Sequence, residues 1–206
     1  STTAGNVVLD AGAFITLGSV TTPALVDISA GTGLSAASLL STGSSIDVDS
    51  VSGLLSISKA TAKTDLDAQA VAGALTVGTF TAATAQLRSG TDMTLTTGTA
   101  TGALTVESKG AASLGNLTSG AQLTADATGA MTVTSAKGTV LDMSAGTGLT
   151  AGTLTSTTGK IDVDSVAGLL KITTATAKTD LDAQAVAGDL TVGTFTGATA
   201  ALSSGR

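Results

Sequence analysis

The residues best suited to chemistry in this chain are aspartates that recur in pairs. Asp47 and Asp67 are separated by the same number of residues as Asp162 and Asp182. Each alternates with apolar neighbours, so the period of a β-strand directs its side chain outward. If strands at that spacing are neighbours in a sheet, the two carboxylates of a pair stand about 5 Å apart. Such pairs can contribute ligands to Ca²⁺ or hydrolyse a glycosidic bond.

The calcium interpretation competes with that of a solvated acidic stripe. Ca²⁺ requires several converging oxygen ligands, and the G-G-x-G-x-D repeat of calcium-binding β-helices is absent. Patterned surface charge usually marks a wet face, and Lys63 and Lys178 are expected to relieve the repulsion. The sequence therefore predicts no metal and no cofactor, and the candidates for Ca²⁺ are the four paired aspartates.

Catalysis is disfavoured by the residue types that the chain lacks. There is no His, Cys, Trp or Tyr, hence no imidazole base, no thiolate and no large aromatic platform for a sugar. Near-identical repeats also argue against a unique cleft. We expect that the protein is not an enzyme, and a polysaccharide-active enzyme remains a minor alternative.

A second minor alternative is ice binding by threonine rows. Thr-x-Thr motifs occur along the chain, and parallel rows of threonine on a flat sheet can order water. The motifs do not recur at one evident coil position, and threonine is favoured on the solvent side of strands in any case. The motifs considered are Thr79-Phe80-Thr81, Thr94-Leu95-Thr96, Thr99-Ala100-Thr101, Thr132-Val133-Thr134 and Thr194-Phe195-Thr196.

These residues are carried by an internal repeat. Residues 29–90 recur at residues 144–205, offset by 115 positions, and 47 of the 62 aligned positions are identical. Within this unit an apolar-x-apolar pair returns at a shorter, nearly constant interval, and six such intervals make up the offset. The first members of the pairs are Val7, Val26, Ile46, Leu66, Ala85, Leu104, Leu123, Leu141, Ile161, Leu181 and Ala200. Because a solenoid has no internal boundary, residues 1–206 are expected to form one domain.

The period predicts a parallel β-helix of about ten coils of roughly 18 to 20 residues, with three short strands per coil. The general preference of parallel crossover connections predicts that the helix is right-handed. Period-2 alternation excludes amphipathic helices, and the near-absence of Asn and Cys excludes leucine-rich repeats. A second apolar pair follows the first in most coils, and a third side is suggested by single residues three positions later. Those residues are Val20, Ala60, Phe80, Ala136, Ala175 and Phe195.

Glycines before the second pair predict corners of the coil. A corner that needs positive φ selects glycine, because glycine lacks the Cβ that makes this conformation unfavourable. The glycines at this position are Gly53, Gly73, Gly129, Gly168 and Gly188.

Composition restricts partners and location. The net charge of −6 and pI near 4.3 disfavour nucleic acid. No apolar run approaches the length of a spanning helix, so no membrane insertion is expected. Only 1% of residues are aromatic, so aliphatic side chains are expected to fill the interior. Phe14, Phe80 and Phe195 are expected to be buried among them.

The coils resemble the central shaft of filamentous haemagglutinin-like exoproteins of two-partner secretion systems. The resemblance rests on coil length, on Ser/Thr/Gly-rich turns, and on Gly-Ala-Leu-Thr-Val at residues 73–77 and 102–106 with Gly-Ala-Met-Thr-Val at 129–133. It implies a secreted or surface-displayed bacterial adhesin with an outer-membrane secretion partner, in which this chain is a fragment of a rigid spacer. The alternative that the residues leave open is a surface that itself binds a host receptor, a glycan or other rods.

Overall fold

The chain forms an all-β solenoid. The computed structural model describes residues 5–205, in which the secondary structure is entirely strands. The strands are β1 (Val7–Ala11), β2 (Ile15–Thr22), β3 (Val26–Ala30), β4 (Leu34–Ser41), β5 (Ile46–Ser50), β6 (Leu55–Ala62), β7 (Asp65–Ala70), β8 (Leu75–Ala82), β9 (Thr84–Ser89), β10 (Met93–Ala100), β11 (Leu104–Ser108), β12 (Ala112–Ser119), β13 (Gln122–Ala127), β14 (Met131–Gly138), β15 (Val140–Ala145), β16 (Leu149–Ser156), β17 (Ile161–Ala167), β18 (Leu170–Thr176), β19 (Asp180–Ala187), β20 (Leu190–Thr196) and β21 (Thr199–Ser204). In residues 5–205 no helix is long and apolar enough to cross a membrane.

Odd-numbered and even-numbered strands form two parallel sheets. The odd-numbered strands form the 11-stranded sheet A and the even-numbered strands form the 10-stranded sheet B. Each strand pairs with its equivalent one coil away, as in Val7 with Val26 and Val26 with Ile46. All the first members predicted from the sequence lie in this one column of sheet A. The period of the sequence is therefore the period of the stack.

Sheet B contains the second and third sides of each coil in one strand. In its full-length strands, inward residues stand at positions one, three, six and eight, so two successive residues point outward at the middle. The structure joins the second and third predicted sides in one strand rather than two, and the pairing register omits the residues at the bend, such as Ser58 and Gly78. The residues suggested for the third side do form one inward column. That column also includes Gly98, and the ring of Phe80 fills the space that a side chain at Gly98 would occupy.

Aliphatic side chains fill the interior. Ile46, Val48, Leu55 and Ile57 are each no more than 1% exposed and belong to one continuous core cluster. Burying such side chains contributes about 1.5 to 3 kcal/mol each relative to leaving them exposed. Small inward residues end the strands, and Ser41 Oγ donates a hydrogen bond of 2.7 Å to a backbone carbonyl across the corner. Buried polar groups at the corners are satisfied in this way.

The corner glycines are required by close approach, and one of them, Gly168, also has positive φ. A Cβ at Gly53 would stand 1.9 Å from the carbonyl oxygen of Thr32, and the φ of Gly53 is not positive. Among the five glycines predicted to have positive φ, only Gly168 does, at +86°. The physical reason is stacking, because each coil follows its neighbour so closely that the corner backbone occupies the space of a side chain.

Two of the three phenylalanines pack as predicted. Phe80 is 3% exposed and Phe195 packs against the core. Phe14 is 51% exposed, so its predicted burial is wrong. It lies at a corner rather than in a strand, and its ring covers Gly33 of the next coil.

Candidate interaction surface

Charge is divided unequally between the two sheets. The strands of sheet A contain 13 of the 15 acidic residues and one basic residue, Arg88. The strands of sheet B contain no acidic residue and three lysines, Lys59, Lys137 and Lys171. Because the acidic residues occupy outward positions, the outer face of sheet A is an acidic surface along the rod.

The paired aspartates stand beside one another in adjacent coils, as predicted. Asp47 is the register partner of Asp67, and Asp162 is the partner of Asp182. Sequence reasoning missed that each pair extends by one coil, because Asp27 pairs with Asp47 and Asp142 with Asp162. The signal was present, since both missed residues lie inside apolar-x-apolar pairs of the same column.

Partial burial, followed by the charges of neighbouring carboxylates, raises the pKa of several of these carboxyl groups. The pKa of Asp47 is raised first by partial burial and then by the charges of Asp49, Asp67 and Asp27. The pKa of Asp49 is raised by burial and then by Asp67 and Asp27. Removing a carboxylate from water and placing like charges nearby both disfavour its ionised form.

In the second repeat, the pKa of Asp164 is raised by the same causes, burial first, followed by the charges of Asp162 and Asp182. Both repeats therefore present an outer face on which negative charge is only partly compensated.

The basic partners differ from those predicted. In the described part of the chain the ion pairs join Arg88 to Asp67 and Glu107, at 3.5 Å each, and Lys160 to Asp162 at 2.5 Å. Neither Lys63 nor Lys178 forms one of these ion pairs, so the basic groups in direct contact with the stripe are Arg88 and Lys160. Lys63 and Lys178 each lie at the corner that precedes a strand of sheet A rather than on the face of that sheet.

The aspartate columns do not converge into a cage of ligands. Within residues 5–205, no group of three or more carboxylate, imidazole or thiol side chains is arranged to hold a metal ion. The side chains of a column point outward in parallel, whereas Ca²⁺ requires about six to eight oxygens converging at about 2.3 to 2.6 Å.

Exposed valines lie next to the outward aspartates of sheet A. Val51 lies two positions after Asp49 and Val71 two positions after Gln69, so both valines lie on the outer side of the chain as it leaves sheet A. They are 50% and 46% exposed, and Val166 and Val186 repeat them at 54% and 51%. Recurrent exposed apolar groups of this kind indicate an interaction surface.

A shallow groove lies on the same face between the two repeats. It has a volume of about 370 Å³, and its lining includes Val71, Arg88, Glu107, Lys109 and Asp126. The lining also includes the corner glycine Gly90. It mixes both charges and contains no aromatic ring on which a sugar could stack.

The threonine motifs of sheet B do recur at a fixed coil position, contrary to the sequence interpretation. In the second half of the long strands, Thr79 and Thr81 pair with Thr97 and Thr99. The sequence obscured these rows because other Thr-x-Thr motifs, such as that at Thr94, lie in the first half of the strand. Three further coils repeat the arrangement with Thr153 and Thr155, Thr174 and Thr176, and Thr194 and Thr196.

These threonine rows are not continuous along the rod. Lys59 and Lys137 occupy positions in the same columns, and Asn116 pairs with Thr97. The interruptions divide the rows into short patches.

No family model, curated protein or solved structure matches this chain. Its function is therefore argued from its own residues and geometry.

Proposed function

We propose that this chain is a segment of the shaft of a large secreted or surface-displayed bacterial adhesin, and that it acts as a rigid spacer that presents a distal binding or effector region. The observation that carries the proposal is the unbroken register of both sheets. In residues 5–205, every strand from β1 to β21 pairs in parallel with its neighbours, with no inserted domain between them. The resemblance of the repeats to filamentous haemagglutinin-like shafts supports the same proposal.

Stiffness follows from this architecture. Bending the rod requires hydrogen bonds to lengthen along two continuous ladders and the stacked aliphatic rows to separate. Each coil buries its apolar residues on both neighbours, so local opening is opposed from both sides. With about 4.8 Å per coil, ten coils span about 48 Å.

The proposal also includes the location and partners implied by the resemblance. The parent protein would be exported through an outer-membrane partner and act outside the cell. The scarcity of chemically reactive side chains supports a mechanical role rather than catalysis. The second candidate is a direct adhesive surface, which is favoured by the exposed valines on the acidic face.

The two candidates are distinguished by displaying the chain on a bacterial surface with and without a small binding domain fused to its outer end. A spacer gives attachment to ligand-coated beads only with the fused domain, and attachment through a dense surface layer improves when the chain is present. Attachment of the chain alone to host cells, at the level of the fusion, would overturn the spacer in favour of the adhesive surface.

A further inference from the structure

The internal repeat provides a comparison between two copies of the same coils within one chain. The copies differ at 15 of 62 positions, so substitutions have accumulated since they diverged. Inward positions are almost unchanged, as close packing requires. Outward positions are free of that constraint, and the distribution of differences among them shows which outer surface is maintained.

The two outer faces have diverged very unequally over the first two coils of the repeat. On sheet B, seven of the eight outward positions of β4 and β6 differ from their equivalents in β16 and β18, the exception being Thr61 and Thr176. On sheet A, none of the outward positions of β5 and β7 differs from its equivalent, and neither do the two valines that follow these strands. The unchanged residues are Asp47, Asp49, Val51, Asp65, Asp67, Gln69 and Val71, equivalent to Asp162, Asp164, Val166, Asp180, Asp182, Gln184 and Val186.

In the last coil of the repeat, some outward residues of sheet A differ between the copies and those of sheet B do not. On sheet A, β9 differs from β21 at two outward positions, since Gln86 corresponds to an alanine and Arg88 to a serine. On sheet B, the outward residues of β8 are the same in β20, but they are threonines and a glycine, which strand propensity and close approach favour without a partner. Within the strand faces, the unchanged charged and apolar patch is therefore confined to β5 and β7, with the valines that follow Asp49 and Gln69. At the corners, the exposed Leu54 and Lys63 are also the same in the second copy.

Internal contacts explain only part of this patch. Asp65 and Asp180 accept equivalent hydrogen bonds from Thr84 and Thr199, which accounts for these two aspartates.

Within residues 5–205, the other residues of the patch have no internal side-chain hydrogen bond or ion pair that both copies share. Arg88 pairs with Asp67 in the first copy, but its equivalent in the second copy is Ser203, and Asp182 is nevertheless retained. The valines are about half exposed, so core packing does not require them. Asp47 is partly buried beside Asp27, Asp49 and Asp67, and burial and these charges together raise its pKa, which disfavours its ionised form in the isolated fold. Residues that are unfavourable in the isolated chain and yet unchanged in both copies are explained by a contact with another molecule.

We infer that the outer face of sheet A carries two equivalent docking sites for a protein partner that presents basic side chains beside apolar ones. Site 1 consists of Asp47, Asp49, Val51, Asp67 and Val71, and site 2 consists of Asp162, Asp164, Val166, Asp182 and Val186.

The residues of the two sites indicate the chemistry of this partner. Carboxylates require a cationic counterpart, and half-exposed valines require an apolar one, so both chemistries must occur on one surface. Nucleic acids and anionic membranes are repelled by the aspartates. A second copy of this chain does not fit, because its outward lysines on sheet B lie at positions that differ between repeats: Lys59 corresponds to Thr174, and Lys171 to Ser56.

The spacing of the sites makes the rod bivalent. Six coils separate them, or about 29 Å along the axis. A partner with two binding surfaces at that spacing gains avidity without a new contact, because its second binding event is intramolecular. The inference does not depend on the spacer function, and a failure of either leaves the other standing.

The test uses a labelled peptide of alternating lysine and valine as the probe, with fluorescence anisotropy for affinity and calorimetry for stoichiometry. The whole chain is expected to bind two peptides. Asp47→Asn, Val51→Ser and Val71→Ser together should weaken site 1 by about tenfold or more and leave one tight site.

The equivalent triple change in the second copy should do the same for site 2. Its substitutions are Asp162→Asn, Val166→Ser and Val186→Ser, and the combined variant should lose tight binding. Because these residues are on the outer face, circular dichroism should show an unchanged fold.

Two control variants isolate the sites from general charge and hydrophobicity. Val8→Ser with Asp10→Asn makes the same kinds of change on sheet A outside both sites. Ser56→Lys with Lys59→Thr gives sheet B of the first copy the residues of the second copy at no change in net charge. Both controls should still bind two peptides.

Four outcomes would overturn the inference. They are equal losses in the control variants, equally tight binding of an alternating lysine and serine peptide, a stoichiometry other than two, and sedimentation showing that the chain dimerises through the valines of the sites. The last would assign the face to contact between copies.

Discussion

At the scale of single residues, the alternation of inward and outward side chains governs tolerance to substitution. Val48 is fully buried and Asp47 is exposed, although they are adjacent. Val48→Asp places an unpaired carboxylate in the aliphatic interior and should lower the free energy of unfolding by about 3 kcal/mol or more. Asp47→Val should be tolerated. Thermal and urea unfolding measure both effects, and similar losses at the two positions would contradict the assignment of faces.

A second prediction at this scale concerns the corner glycines. Gly53→Ala forces a Cβ to within 1.9 Å of the Thr32 carbonyl oxygen, so the backbone of two coils must move apart. We expect a loss of about 1 to 3 kcal/mol in the free energy of unfolding. Gly18→Ala is the matched control, because an added Cβ there meets no atom within 4 Å and should be neutral or slightly stabilising. Equal stability of the two variants in urea unfolding would refute the close-approach argument.

At the scale of the strand, the carboxylates of β5 make stability depend on pH. The pKa of Asp47 and of Asp49 is raised in the folded state above the ordinary value of 3.8, so the folded chain binds these protons more tightly than the unfolded chain. Their unfavourable contribution is fully present above the raised pKa and is relieved as the pH falls through it to below 3.8.

The variant Asp47→Asn with Asp49→Asn should therefore have a higher Tm than the parent at neutral pH, and the gain should shrink as the pH falls through the raised pKa and disappear below 3.8. Asp92→Asn with Asp189→Asn removes the same charge from two corners outside these columns and controls for net charge. Calorimetric scans across this pH range provide the measurement. A gain in Tm that is independent of pH, or one equalled by the control, would show that like-charge crowding on β5 is not the cause.

At the scale of the whole molecule, the agreement of the two periods makes a six-coil deletion possible. Removing residues 29–143 joins Ile28 to Ser144, which restores the natural Ile28-Ser29 dipeptide and places Ile28 where Met143 normally precedes Ser144 in sheet A. The remaining coils should stack without a break, and the rod should shorten by about 29 Å. Small-angle X-ray scattering of the purified chains measures the change in maximum dimension.

A deletion of about half a coil serves as the control for this experiment. It should place strands opposite corners and prevent a cooperative fold, because a shift in register moves apolar side chains to the solvent face. If both deletions unfold the chain, or if both are tolerated, coil register does not determine the fold.

The sequence by itself determined the coil length, the columns of inward residues and the pairing of Asp47 with Asp67. These features are local, because alternation and strand spacing are both written into the residues of a single coil. The stacking of outward residues on sheet B and at the corners required the tertiary structure, because coils of unequal length are accommodated at corners whose geometry no local pattern specifies. For that reason the threonine rows, the exposure of Phe14 and the close approach at Gly53 escaped sequence reasoning. The sequence alone showed that the residues of the unchanged patch of sheet A are identical in the two repeats. Only the register of the coils showed that these residues lie side by side on one outer face. The register also distinguished them from the core residues, which close packing preserves in any case.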